Sequence, residues 1–508
     1  MKTSNQLNKS TSKWLIIITI MLVAILEVLD STIVNVALPN MMPSLGADQN
    51  QITWVLTSYV VAAAMMLPLT GFLSNHFGLK NLLIIDIVGF LISSCLCGTA
   101  TALNMMVFYR LLQGMFGASL IPLSQSILRH SFPAEEQGKA MAIWGLGIMV
   151  APIFGPTLGG FIVAHSSWRW IFYINGPICF IGLMMALAVI PPSEKISQKI
   201  DSAGVMLMFI GIGCLQLFLD QGNSNNWFHS DSILLLALTS FFCILFFIVR
   251  SIQNKNPVIT LSIFSDRNFT LCTILLACYS ACLFGFVTLQ PIMLESLFGY
   301  TPLIAGKAMI MIGLSSGVAM ILSAPLMKHF KIQTILITSL LISMIGIFHF
   351  ANLALTATRS NFMWGDAFFG FGLGLFMVPL TTCSLSTLPE KNITEAAGLF
   401  TYGRMLGTSI GVSLLSTLVS RETQANWMQL SQHITIFNPN LYAWLHHQHS
   451  TLNNPHTIAV LQKTLLSQSS MIAFIDAYHC IGILLLCFIP CVLLLRNIKT
   501  VKVDTSAH

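Results

Sequence analysis

Residues Ile16 to Pro39 read IIITIMLVAILEVLDSTIVNVALP, an apolar run long enough to cross a bilayer, with two carboxylates, Glu27 and Asp30, well inside it. A charged side chain near the middle of a membrane helix costs ~2.5–3.5 kcal/mol on insertion scales. Two in one span therefore point to function rather than decoration. Spaced i and i+3, they share one helix face about a turn apart, and that face looks into protein or a water-filled cavity rather than at lipid.

Working outward, the composition sets the same class. Apolar residues make up 55% of the 508 and charged residues only 8%, whereas a soluble domain carries roughly 25% charged residues. Mean hydropathy is +0.79. The chain is expected to be an all-α, polytopic membrane protein. Its +6 formal charge says little about nucleic acid, because where the charges sit matters more. The twelve cysteines fall in apolar stretches and read as small packing residues with no redox or metal role. The first apolar run is too long for a signal peptide and has no small-residue cleavage site, so it reads as a retained first span.

Apolar segments of about 20 residues occur at 15–38, 50–71, 80–101, 104–127, 139–163, 168–190, 202–219, 231–250, 270–292, 302–326, 332–351, 361–386, 394–420 and 471–495. Fourteen spans place both chain ends on one side. Of the 24 basic side chains, seventeen fall on that side and four (Arg169, Arg359, Arg421, Lys463) on the other, while Arg110, Lys307 and Arg404 lie inside spans. The positive-inside rule then predicts cytoplasmic termini. A polar break, PPSEKISQKIDSAG at 191–204, and a basic connector at 250–269 divide the spans as 6+2+6. The expected units are an N-terminal six-helix bundle (1–200), two inserted spans with their connector (201–268) and a C-terminal six-helix bundle (269–508). Paired helical halves around a central site are a common transporter plan. A long segment, 421–470, lies on the non-cytoplasmic side and carries Trp427, Trp444 and the run His446, His447, His449. An amphipathic surface segment is the expected reading there, with a metal site as the alternative.

Several motifs carry chemistry. GFLSNHFGLK (Gly71 to Lys80) follows span 2, with Gly71 ending a helix and Gly78 permitting a tight turn. Span 4 holds YRLLQGMFGASLIPL, where Arg110 and Gln113 share a face; an arginine there needs a carboxylate, a carbonyl or water, or else snorkels to the nearby interface. In span 5, Gly147, Ala151, Gly155 and Gly159 recur every four residues, with Gly160 extending the small end, and form a smooth stripe for close helix packing. Pro152 and Pro156 follow the same spacing and are expected to bend or loosen the span, suiting a hinge or seal between halves or simply tight packing. Asp86, Asp366, Arg404, Asp476 and His479 are further embedded ionisable residues, and Glu295 and Lys307 flank the turn between spans 9 and 10.

With these residues in view, the chain resembles the major facilitator superfamily and, within it, the fourteen-span drug:proton antiporters. LDSTIVNVALP (Leu29 to Pro39) resembles their first-span signature, RLLQG around Arg110 the span-4 arginine motif, APIFGPTLGG (Ala151 to Gly160) the span-5 antiporter motif and WRWIFYINGP (Trp168 to Pro177) another stretch of that branch. IPLSQSIL, LDQGNSNNWF, VPLTTCSLSTLP and the FNPN at Phe437 to Asn440 are similar to EmrB-type exporters of Gram-negative bacteria. The resemblance implies a proton-driven inner-membrane pump for hydrophobic drugs. It also implies a periplasmic adaptor of the EmrA type and an outer-membrane channel of the TolC type as partners. The chain departs from the family loop motif, which usually has an acid where this chain has Asn75 and basic residues at or near His76 and Leu79, so that loop's charge-relay role is not carried over. Glu27 and Glu295 stand where uncharged polar residues are expected.

The expected activity is proton-coupled multidrug efflux by alternating access, with no enzymatic step, cofactor or metal. Asp30, Glu27 and Arg110 are the candidates for proton coupling; Glu27, Asn35, Gln113, Glu295 and Arg404 are those for substrate binding. Gly71, Gly78, Gly147, Pro152, Gly155, Pro156, Gly159 and Gly160 are the candidates for gating and packing. A membrane potential supplies ~2.3 kcal/mol per charge per 100 mV, so one proton per cycle supports a concentration ratio of roughly fifty at that voltage. The alternative is an exporter of an endogenous metabolite, siderophore or lipid. No GxxxxGK[ST] loop is present, which disfavours direct ATP drive.

Overall fold

The computed structural model describes residues 2–48, 51–193, 201–254, 257–389, 392–435, 437–447 and 454–496. Among these, the side chains of residues 2–12, 134–135, 149–154, 156–157, 302–303, 440, 444 and 447 lie outside the described set. Every regular element among the described residues is helical.

The first six spans begin with α1 (Lys2–Leu45). The second is α2 (Trp54–Met66) and α3 (Thr70–Phe77), joined by a 3₁₀ turn at Leu67–Leu69 where Pro68 removes a backbone donor. The third is α4 (Leu79–Thr99), and the fourth combines α5 (Leu103–Gly117) with α6 (Leu120–Ser131). The fifth is α7 (Ala134–His165), and the sixth combines α8 (Trp170–Tyr173) with α9 (Asn175–Val189). Two inserted spans follow, α10 (Ser202–Gln221) and α11 (Asp231–Gln253). The last six are α12 (Arg267–Phe298), α13 (Pro302–His329), α14 (Ile332–Ala351), α15 (Arg359–Ser386), α16 (Ile393–Gln432) and, after the short α17 (Pro439–His447), α18 (Pro455–Cys487) continued by α19 (Ile489–Leu493).

Among the described residues, twelve helical segments are long and apolar enough to cross a membrane. The other two spans of the expected fourteen are α7, some of whose side chains lie outside the described set, and α16, whose hydropathy is diluted by glycine, serine, threonine, Glu395 and Arg404. Both pack inside the bundle, α7 on α1 and α13, α16 on α12 and α18. The chain is thus an all-α multi-pass membrane protein with spans in a 6+2+6 order.

The stretch 421–470, read from the sequence as a loop, is largely helical. α16 runs on to Gln432, α17 fills part of the interval, and Asn454 caps α18 by accepting a hydrogen bond from the His456 amide (3.0 Å), with Pro455 in the first turn. A hydropathy window misses such helices because their faces are polar. Of the histidine run there, His446 is exposed on α17, while the side chain of His447 and residue His449 lie outside the described residues.

An even number of crossings returns both chain ends to one side, the base of the bundle. Contacts between the first and last six spans gather toward that end. Ser126 and Thr394 share a hydroxyl hydrogen bond of 2.5 Å. Gly71 lies so close under the Glu395 backbone that any side chain there would collide with it, and Gly398 is as tightly seated on the Leu67 carbonyl. Met320 packs between Ala142 and Val378. The inserted helix α10 touches both sets: Thr57 of α2 donates to Asp220, while Gln216 donates to Ser409 (2.5 Å) and Ser413 of α16 to the Leu219 carbonyl (2.6 Å). α11 leans on α10 and leaves Phe241, Phe242 and Phe246 exposed, as a lipid-facing helix should.

Candidate functional site

Asp30 and Arg110 meet at the centre of the first six spans. Arg110 Nη1 donates to Asp30 Oδ2 at 2.7 Å, and neither side chain is more than 1% exposed. Asp30 Oδ1 accepts from Gln113 Nε2 (2.9 Å) and Asn175 Nδ2 (2.7 Å), and both amides also donate to Ser94 Oγ (2.7 and 2.8 Å). Arg110 Nε reaches the Val55 carbonyl (3.0 Å), Nη1 also reaches Gln113 Oε1 (2.7 Å), and the guanidinium lies 4.3 Å from the Tyr59 ring centroid. The side chain is a neutralised, multiply bonded centre, the form in which a buried charge is tolerated. Five spans contribute to it: α1, α2, α4, α5 and α9.

Sequence reasoning placed Asp30, Arg110 and Gln113 on suitable faces, and the structure brings them together. It missed Asn175, Ser94 and the Val55 carbonyl. Asn175 carried a usable signal as the lone amide in the apolar run IFYINGP. Ser94, one of two adjacent serines in α4, carried none.

Glu27, one turn before Asp30, points another way. Its Oε2 is buried without a hydrogen-bond partner, and its charge interacts with that of Arg404 across a gap too long for an ion pair. Beside it, Val28 lines a cavity between α1, α6 and α7 on one side and α12, α13, α15 and α16 on the other. Its walls are chiefly Met, Phe, Leu and Ile, with Arg404, Gln125, Trp144 and two threonines as the polar inserts. Trp144 Nε1 and Gln125 Oε1 are buried and unpaired, leaving one donor and one acceptor free beside the cavity. An apolar chamber with a few convergent polar groups is the usual form of a small-molecule site.

The remaining candidates are dispersed. Asn35 is exposed, its amide bonded only to the Ser31 carbonyl (3.5 Å), and Glu295 is exposed near the end of α12 away from the base. Gly78 takes φ +84° and ends α3, a conformation that favours glycine. In α7 the glycine stripe faces α1: Gly147 meets Met21, Gly155 meets Thr32, Gly159 meets Ile33, and Gly160 stands looser near Val36 (3.9 Å). A neighbouring face of α7 meets α13, where Gly145 lies beside Met320. The side chains of Pro152 and Pro156 lie outside the described residues; the backbone through both is helical. Among the described residues no cluster of three or more His, Cys, Asp or Glu side chains is placed to hold a metal.

Membrane-spanning helices that enclose an apolar chamber, with the buried carboxylate of an ion pair on one of the lining helices, have the form of a solute transporter. Residues 20–412 match the model of the Major Facilitator Superfamily, and the chain belongs to that superfamily. It is 35% identical over 466 residues to the multidrug export protein EmrB of Haemophilus influenzae, covering 90% of this chain and 91% of that one. It is also 35% identical to the fatty acid resistance protein FarB of Neisseria gonorrhoeae (94% of each chain) and 36% identical to EmrB of Escherichia coli K12 (84% of each). Among solved structures, the fold is similar to the proton:xylose symporter XylE (TM-score 0.62, 15% identity, 94% of this chain and 95% of that one) and to human MFSD10 (TM-score 0.60, 12% identity, 93% and 99%).

Proposed function

We propose that this chain is a proton-coupled multidrug efflux antiporter of the bacterial inner membrane that works by alternating access. The observation that carries the reading is that α1 carries both Asp30, buried in its pair with Arg110, and, two residues before it, Val28 in the wall of the apolar chamber. A proton bound at Asp30 neutralises the carboxylate and removes the counter-charge of Arg110. The guanidinium must then find new partners, and the side-chain tie of α1 to α5 and its packing against α9 change with it. Because Val28 and Glu27 move with α1, the chamber's affinity for its cargo is tied to that proton. Relatives whose names describe multidrug export support the same reading.

Three finer points belong to this proposal. The rigid units are residues 1–200, 201–268 and 269–508, the termini are cytoplasmic, and the contacts at the base therefore close the chamber to the cytoplasm. The cargo is hydrophobic drugs, held by flexible methionines and aromatics that adapt to many shapes. A periplasmic adaptor of the EmrA type and a channel of the TolC type complete the export route, with the helical stretch 421–470 as the contact surface.

A second reading, export of an amphipathic anion such as a lipid-derived acid, is favoured by Arg404, a cation facing the chamber with no ion pair among the described residues. Growth of cells with and without the gene on a drug panel and on fatty acids separates the two. Protection against structurally unrelated drugs, lost on collapsing the proton gradient, supports the first. Protection against fatty acids alone supports the second.

A further inference from the structure

The last six spans contain a counterpart of the Asp30–Arg110 centre that the reading above does not use. Arg110 is the eighth residue of α5, the fourth span of its set. Asp366 is the eighth residue of α15, the fourth span of the last six, and is fully buried. Asp30 sits on the first helix of its set, and Gln290 sits on the first helix of the other, α12. The arrangement repeats with the chemistry changed: acid on the first span and cation on the fourth in one half, amide on the first span and acid on the fourth in the other.

Gln290 Nε2 donates to both Asp366 oxygens, at 2.9 Å each, while Gln290 Oε1 is buried with no partner. No cation answers Asp366 among the described residues. The charged and titratable groups around it are otherwise engaged or distant. On α14, His349 Nε2 bonds the Asn361 carbonyl (2.9 Å), and on α18 Tyr478 Oη donates to Met293 Sδ (3.5 Å). On α13, Lys307 offers its carbonyl to Arg359 (3.5 Å), Arg359 itself being exposed at the start of α15, and Glu295 of α12 is exposed. Asp476 and His479 flank Tyr478 on α18, with His479 against Phe348. Phe362 and Phe369, one turn to either side of Asp366, and Phe286, one turn before Gln290, are fully buried and pack with Phe350 in one aromatic cluster.

An ionised carboxylate in this place lacks a counter-charge and leaves Gln290 Oε1 orphaned. A protonated one removes both defects. The acid O–H donates to Gln290 Oε1, the acid carbonyl accepts from Nε2, and a rotation of the amide closes an acid–amide ring with every polar atom paired. We propose that Asp366 is a second proton-binding site, holding a proton against Gln290 while the base of the bundle is closed. The proton comes from water on the side away from the base and returns to water when the site opens, with no other bond made or broken. With Asp30 as the coupling carboxylate the protein carries one proton site in each half; the Asp366 site itself holds whether or not Asp30 has that role.

The test is infrared difference spectroscopy on the purified full-length protein in lipid bilayers, titrated with pH. The wild type should show the carbonyl stretch of a protonated carboxyl at neutral pH. Asp366→Asn should remove that band, and Asp30→Asn should retain it. Gln290→Leu should keep the band but shift it to the position of a less strongly hydrogen-bonded acid, which keeps the test intact where Asp366→Asn fails to fold. A band unaltered by Asp366→Asn, or by Gln290→Leu in a folded protein, overturns the proposal, as does the absence of any such band in the wild type. Loss of drug transport in Asp30→Asn with the Asp366 band intact leaves this inference standing and bears on the coupling site alone.

Discussion

Asp30 and Arg110, eighty residues apart in the chain, are joined by a 2.7 Å ion pair from which water is excluded. Removing one partner of such a pair leaves the other buried and uncompensated, at a cost of about 3–5 kcal/mol. Arg110→Ala should therefore lower the unfolding temperature of the purified protein sharply. The double variant Asp30→Asn, Arg110→Ala should recover much of that loss, because no unpaired charge remains. Unfolding followed by intrinsic fluorescence checks both, and additive losses would contradict the pairing.

Packing between α7 and α1 depends on absent side chains. A side chain at Gly155 collides with Thr32, whereas one at Gly160 meets only Val36 at contact distance. Gly155→Leu should cost about 1–3 kcal/mol or more through overpacking and should impair transport. Gly160→Ala should leave both stability and transport near wild type.

Charge in the chamber should set cargo preference. Arg404 lines it, and Glu27, of opposite sign, adjoins the lining residue Val28. A hydrogen bond to a charged group contributes about 1.5–3 kcal/mol, or roughly 10- to 100-fold in affinity. Glu27→Gln should weaken cationic drugs by such a factor and spare neutral ones, while Arg404→Gln should do the same to anionic compounds. Equilibrium binding of matched cationic, neutral and anionic probes decides; equal losses across all three would remove the selectivity role.

Closure at the base should be reversible during transport. Ser126 and Thr394 touch across the two sets of spans. In a background whose other cysteines are removed, Ser126→Cys with Thr394→Cys should form a disulfide that stops transport, and a reductant should restore it. Full activity of the cross-linked protein would show that this contact does not open.

Much of this was legible in the sequence, for physical reasons that differ by residue. Membrane spans declare themselves because every backbone polar group must be satisfied within a helix and every lipid-facing side chain must be apolar. Asp30 and Arg110 stood out because a charge in such a run is expensive. Ser94 did not, since a hydroxyl costs far less there, and Asn175, a lone amide in an apolar run, signalled only weakly; the fold alone brings both to Asp30. Nor did Gln125 and Trp144, whose unpaired atoms face the chamber by virtue of how α6 and α7 pack. Glu295 shows the converse: an unusual carboxylate in sequence that the fold leaves exposed, away from the chamber. The helices within 421–470 escaped because hydropathy detects apolar length, not helical structure.

The central claim is that Asp30 couples protons to cargo. The direct measurement is uphill drug transport in proteoliposomes under an imposed pH gradient, comparing wild type with Asp30→Asn. The asparagine keeps the size of the side chain but offers one acceptor in place of two, leaves Arg110 without its counter-charge and cannot exchange a proton. Drug binding without gradient-driven accumulation in Asp30→Asn is the expected result; accumulation at the wild-type rate would contradict it.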